Sequence, residues 1–148
     1  MNLLSKIVLV LSLLGLGSGC SSFHREWREA AKVSPTGDRP WEGRWLGTWQ
    51  SDANGHHGGL KCVLTPGGEP GQYRASFRAS YAKVIHFGYV AALTGSESNG
   101  VVRFSGSSDL GSMAGGVYRY DGHANATQFL STYKSGGDHG TFTLKRPK

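Results

Sequence analysis

The sequence predicts an all-β protein: a single antiparallel up-and-down β-barrel of about eight strands behind a short N-terminal helix and tether. Three observations predict it. Apolar and polar residues alternate with a period of two over much of residues 41–148, as strands with one buried and one wet face require. Dipeptides that favour tight hairpins recur between those runs. The part that must fold is also rich in Gly and aromatics and poor in Leu. Of 148 residues 23 are Gly, all sixteen aromatics lie after residue 20, and seven of the fourteen Leu fall within the first 16 residues. That composition suits strands and turns better than a helix bundle. With five Pro and no G-X-Y period, collagen is excluded, and the length suits one domain.

Residues 1–19 read as an export signal: Lys6, an apolar run from Ile7 to Leu16, then Gly17-Ser18-Gly19. The run is shorter than the ~20 apolar residues a spanning helix needs. Ending at Cys20, it resembles a bacterial lipoprotein lipobox, which implies cleavage before Cys20 and a lipid (palmitate among its acyl chains) on the Cys20 thiol. The alternative is a soluble secreted protein cut by ordinary signal peptidase. Cysteine arithmetic separates the two, because Cys62 is the only other Cys. A lipidated Cys20 leaves Cys62 a small buried thiol, whereas a free Cys20 permits a Cys20–Cys62 disulfide in an oxidising compartment.

Residues 20–40 form the tether. His24-Arg25-Glu26-Trp27-Arg28-Glu29-Ala30-Ala31-Lys32 is charged and helix-prone, and Val33-Ser34-Pro35-Thr36-Gly37-Asp38-Arg39-Pro40 is turn-rich. Trp27 either packs on the adjoining domain or rests at a lipid headgroup layer.

The barrel domain spans 41–148. Trp41, Gly43, Trp45, Gly47 and Trp49 share one face of the first strand, and Tyr73, Ala75, Phe77, Ala79 and Tyr81 share one face of another. Further strands are expected over Leu60–Thr65, Val84–Thr94, Val101–Ser105, Val117–Asp121, Thr127–Lys134 and Thr141–Arg146, making eight. Asn54-Gly55, Asn99-Gly100 and Asp121-Gly122 are read as hairpin turns, with breaks at Pro66-Gly67-Gly68 and Gly136-Gly137-Asp138. No crossover helix separates the strands, so a closed meander is expected, with a β-sandwich as the alternative. Thr48-Trp49-Gln50-Ser51 before His57-Gly58-Gly59 echoes Thr132-Tyr133-Lys134-Ser135 before His139-Gly140-Thr141, as if the first and last hairpins meet. A membrane-spanning barrel is rejected, because the face with Arg74, Ser76, Arg78 and Ser80 is not an apolar band.

Gly43-Arg44-Trp45 and Gly47-Thr48-Trp49 at the head of such a meander resemble the Gly-x-Trp start of the lipocalin and avidin-like (calycin) superfamily. The resemblance implies a barrel open at one end and closed at the other by Trp under a basic side chain, a role open to Arg146. Trp41-Glu42-Gly43-Arg44-Trp45, Asn54-Gly55-His56, Gly115-Gly116-Val117-Tyr118-Arg119-Tyr120 and Asp138-His139-Gly140-Thr141-Phe142 are also similar to a set of uncharacterised small bacterial lipoproteins, which imply no activity.

Catalytic motifs do not survive inspection. Ser80…Lys83 and Ser131…Lys134 match Ser-x-x-Lys, but on strands residues three apart point to opposite faces. No zinc-type spacing occurs, although His56, His57, Asp138 and His139 would share one rim, and a metal, if the end hairpins meet. The net charge of +6, or +5 without Lys6, suits an anionic envelope surface, and Arg74 with Arg78 suits an anion. No nucleic-acid-binding motif appears, and export removes the chain from nucleic acid. Trp45, Trp49, Tyr73, Phe77 and Tyr81 are the expected barrel interior. If small residues (Gly43, Gly47, Ala75, Ala79) leave a void among them, the barrel carries a small apolar ligand. If the aromatics fill it, the domain is a structural or protein-interaction module. The expected protein is therefore not an enzyme and uses no cofactor. It is a lipid-anchored cell-envelope protein of the outer membrane or periplasm whose partner is an envelope protein or an apolar ligand.

Overall fold

The computed structural model describes residues 22–35 and 37–148. A helix, α1, covers 22–31. Eight strands follow: β1 (Gly43–Ser51), β2 (His57–Pro66), β3 (Gln72–Tyr81), β4 (Ile85–Ser98), β5 (Val101–Asp109), β6 (Val117–Ala124), β7 (Gln128–Lys134) and β8 (His139–Lys145). Each pairs antiparallel with its sequence neighbour, and β1 pairs with β8, so the sheet closes into a barrel in the order β1 to β8. The expected meander is the observed fold, and the sandwich is not. Among the described residues no helix is long and apolar enough to cross a membrane.

Closure makes the two end hairpins neighbours, as their likeness suggests. Leu46 faces Lys145 and Ser51 faces Gly140 across the seam, and beyond it the Asp52 amide donates to the His139 carbonyl at 2.8 Å. Gly47 makes the seam tight rather than leaving a void. A Cβ there would lie 2.0 Å from the Thr143 carbonyl oxygen.

Most turns fall where the dipeptides put them; Asn99 and Gly100 both have positive φ, as a tight hairpin requires. Asp121-Gly122 is the exception and corrects the expectation. Both residues lie inside β6, paired with Ser105 and Phe104 on one side and with Thr132 and Ser131 on the other. Gly122 serves close approach of strands instead, since a Cβ would sit 2.3 Å from the Leu130 carbonyl oxygen. The turn comes three residues later, where the Asn125 carboxamide accepts the amides of Thr127 and Gln128, both at 2.9 Å.

The wall carrying Arg74, Ser76 and Arg78 is not simply wet, which corrects a second expectation. Phe23 and Trp27, four apart, share one face of α1, stack at 5.9 Å and turn toward the barrel. Phe23 is buried, and so are Val63 and Ser76 on the outer wall. Arg44 and Lys61 lie over the Trp27 ring at 5.3 and 5.0 Å. Glu26 takes both terminal nitrogens of Arg74, at 2.8 and 3.1 Å, so the guanidinium expected to grip an anion grips a carboxylate of its own chain. Further up, His24 meets Arg78. A ten-residue helix is marginal alone, and these contacts hold it.

Candidate functional site

The barrel has one sealed and one open end. At the sealed end Trp41 and Trp45 are fully buried, and the Trp45 indole donates to the Trp41 carbonyl at 3.0 Å. Arg146, just past β8, lays its guanidinium 3.9 Å from the centroid of the Trp45 ring. The same group donates to the carbonyls of Arg44 (3.0 Å), Ala126 (3.2 Å) and Pro40. Above this plug the interior is packed around Phe77, whose ring lies 5.1 to 6.3 Å from those of Tyr89, Tyr120, Phe129 and Phe142. Cys62 is a free thiol wholly buried in this core, and burial pushes its pKa well up. Cys20 lies outside the described residues.

The upper end is not filled. Between the tops of the strands lies a cup of about 500 Å³, walled by Trp49, Leu60, Ala79, Tyr81, Phe87, Tyr89, Tyr118, Tyr133 and Phe142, with His56 and Asp138 at its edge. Its volume falls within the range of small-molecule sites, and such sites are mostly apolar with a few fixed polar groups. Trp49 on β1 lies over β2, and its indole N–H donates to the Ser80 carbonyl on β3 at 2.9 Å. Gly58, the partner of Trp49 on β2, makes the reach possible, because a Cβ there would meet both groups. His56 packs on Tyr81 with ring centroids 5.2 Å apart.

The polar groups of the cup are already bound to one another. Asp138 accepts from the Ser51 hydroxyl at 2.5 Å and from the Tyr133 hydroxyl at 3.3 Å. Burial first, and the Asp138 carboxylate second, hold the Tyr133 phenol far above its ordinary range, so it stays a donor. Deeper, Tyr120 shares a 2.7 Å hydrogen bond with Ser108, and burial raises the Tyr89 phenol strongly. These groups can orient a ligand, the phenols as donors and the Asp138 carboxylate as an acceptor.

The residues singled out from sequence divide between the two ends. Trp45, Tyr73 and Phe77 belong to the packed part, whereas Trp49 and Tyr81 line the cup. The four rim residues also divide. His56 and Asp138 border the cup, but strand parity turns His57 and His139 to the outer wall, where both are exposed. Among the described residues no three His, Cys, Asp or Glu side chains gather around one ion position. The strand limits expected at Tyr81 and Val84 left a turn between them, but sequence reasoning missed its conformation and the rim it builds. Ala82 and Lys83 have φ of 51° and 65° without being Gly, and no turn dipeptide marks them.

A wider groove of about 1060 Å³ runs beneath α1; four of its charged side chains pair with one another, Glu26 with Arg74 and Glu29 with Lys32, and its walls lack the aromatic side chains of the cup. The cup is therefore the better candidate. No family model matches this chain, and no curated protein matches it either.

Proposed function

We propose that this chain is an exported, non-catalytic envelope protein, held to a membrane by lipid on Cys20, whose barrel takes up a small apolar ligand at its open end. The observation that carries the reading is the cup: about 500 Å³ of open space with aromatic walls above a core that is otherwise packed. A module serving only as a scaffold gains nothing from leaving Trp49, Tyr81, Phe87 and Tyr118 around a void, since filling it would stabilise the barrel. The strained turn at Ala82 and Lys83 lies on the same rim, and such strain gathers at binding sites. Anchoring is supported by the export signal ending at Cys20, with Cys62 sealed in the core and thus unsuited to pair with it.

The test is a titration of the purified protein with an apolar naphthylamine fluorophore, read by probe emission and by quenching of tryptophan. Saturable binding at one site is expected. Ala79→Phe fills the cup and should weaken binding at least tenfold while the thermal transition stays cooperative. Equal binding by a folded Ala79→Phe protein refutes the cup as the site.

A further inference from the structure

We propose that the open mouth of the barrel seats on the bilayer that holds Cys20, with Val84, Ile85 and Met113 entering its apolar layer, so that the cup faces lipid rather than bulk water. The inference rests on the anchoring read above and adds an orientation to it.

Two independent observations point the same way. The first is where exposed apolar side chains lie. Among the described residues eight large apolar side chains are exposed, and five of them (Val84, Ile85, Phe87, Met113 and Val117) belong to the upper ends of β3–β4 and β5–β6, with Ile85, Phe87 and Met113 also bordering the cup. The loops of the sealed end, 67–71, 99–100 and 125–127, hold none of the eight. Met113 is fully exposed at the tip of the β5–β6 connection, and Val84 is 77% exposed at the tip of β3–β4. These two hairpins are neighbours around the ring, because β4 pairs with β5. The rim therefore has an apolar half, facing a polar half built by the hairpins with Asp52, Asn54 and Asp138. A cluster of this kind on the surface of a small domain marks an interaction site. Lys83 sits in the same turn as Val84, where its ammonium can reach headgroup phosphates while its stem stays in the apolar layer.

The second observation is the direction in which the chain leaves the barrel. α1 runs antiparallel to β3: His24 meets Arg78 near the top of the strand, and Glu26 meets Arg74 lower down. The beginning of α1 thus points toward the mouth and its end toward the plug. From Arg78 to Tyr81 at the rim is three strand residues, roughly 10 Å. The helix covers about 3 Å from His24 to Ser22, and the two residues between Ser22 and Cys20 allow at most about 7 Å more. A lipid on Cys20 therefore enters the bilayer beside the apolar half of the rim. Had α1 run the other way, the same lipid would have put the plug against the membrane.

The experiment uses the mature lipoprotein purified from membranes and reconstituted in phosphatidylethanolamine–phosphatidylglycerol vesicles. An environment-sensitive dye is attached at Met113→Cys or, as the control at the sealed end, at Gly68→Cys. Cys62 is buried and Cys20 acylated, so labelling is confined to the introduced thiol. Acyl-chain-brominated lipids are expected to quench the Met113→Cys dye several-fold more than the Gly68→Cys dye. A vesicle-bound protein whose Met113→Cys dye is quenched only by aqueous iodide overturns the orientation and leaves the anchor intact. A mass spectrum with no acyl adduct on Cys20 overturns the anchor and the orientation together.

Discussion

Arg146 offers the sharpest test of how the barrel is held shut. Arg146→Ala removes the guanidinium from the Trp45 ring and from the carbonyls of Pro40, Arg44 and Ala126. The bond to Ala126 is exposed, and water replaces it at little cost. The two half-buried bonds from a charged donor contribute about 1.5 kcal/mol each at the low end of their range, and the cation–π contact about 1. Against these stands desolvation of the cation, which lowers the Arg146 pKa to about 10 and leaves it charged at neutral pH. A net loss of about 2–3 kcal/mol is therefore the expectation. For a barrel of this size that corresponds to a fall in Tm of roughly 6–12 °C. Urea unfolding followed by tryptophan fluorescence measures the free energy, and calorimetry measures the Tm. Arg146→Lys should recover less than half of the loss, because one ammonium cannot span three carbonyls. A loss below about 0.5 kcal/mol for Arg146→Ala, with an unchanged slope on urea, would show that the plug does not depend on Arg146 and refute the reasoning.

Three further outcomes follow from other parts of the molecule. Gly47→Ala drives a Cβ to 2.0 Å from the Thr143 carbonyl oxygen and 2.7 Å from the Leu144 Cα, both backbone; a loss of at least about 3 kcal/mol in urea unfolding is expected. The docking of α1 should weaken in acid. Partial desolvation, then Arg78, Lys61 and Arg28, hold His24 below its ordinary pKa of 6.5, so the unfolded segment binds more protons than the docked one. The contribution of His24 is then complete above that value and declines as pH falls below it, which hydrogen exchange of the α1 amides between pH 8 and 5 should show and His24→Ala should abolish. Cys62, buried and with a raised pKa, should react with a disulfide reagent at pH 8 at least about a thousandfold more slowly in the native protein than in urea. Comparable rates would mean that the core opens freely.

Legibility in the sequence followed how local each feature is. The inward faces of β1 and β3 were readable because the period of two is written along one strand, and the Asn99-Gly100 turn because its backbone demand is met by its own residues. Asp121-Gly122 misled for the same reason. A Gly that admits a neighbouring strand carries the same letter as one that turns the chain, and only the partner at Leu130 tells them apart. The burial of Ser76 was hidden too, since it depends on α1, which lies some fifty residues earlier in the chain. The cup was least legible. Ala79 and Tyr81 read as interior either way, and whether their side chains meet across the barrel depends on girth and register, which no single strand encodes.

The two ends of the barrel also divide the work of stability and binding. The sealed end combines the largest buried side chains, Trp41 and Trp45, with a cation that ties three segments together. The open end keeps two non-Gly residues at positive φ, leaves a cavity and exposes Met113 and Val84, each of which costs stability or solubility. A domain with a margin of only 5–15 kcal/mol tolerates that arrangement when the opposite end supplies the excess. Damage to the plug should therefore unfold the whole barrel, whereas substitutions at Phe87 or Met113 should change what the mouth contacts and leave the fold standing. That asymmetry is what a protein working at one end requires, and it makes the mouth the place where function can be altered without destroying its frame.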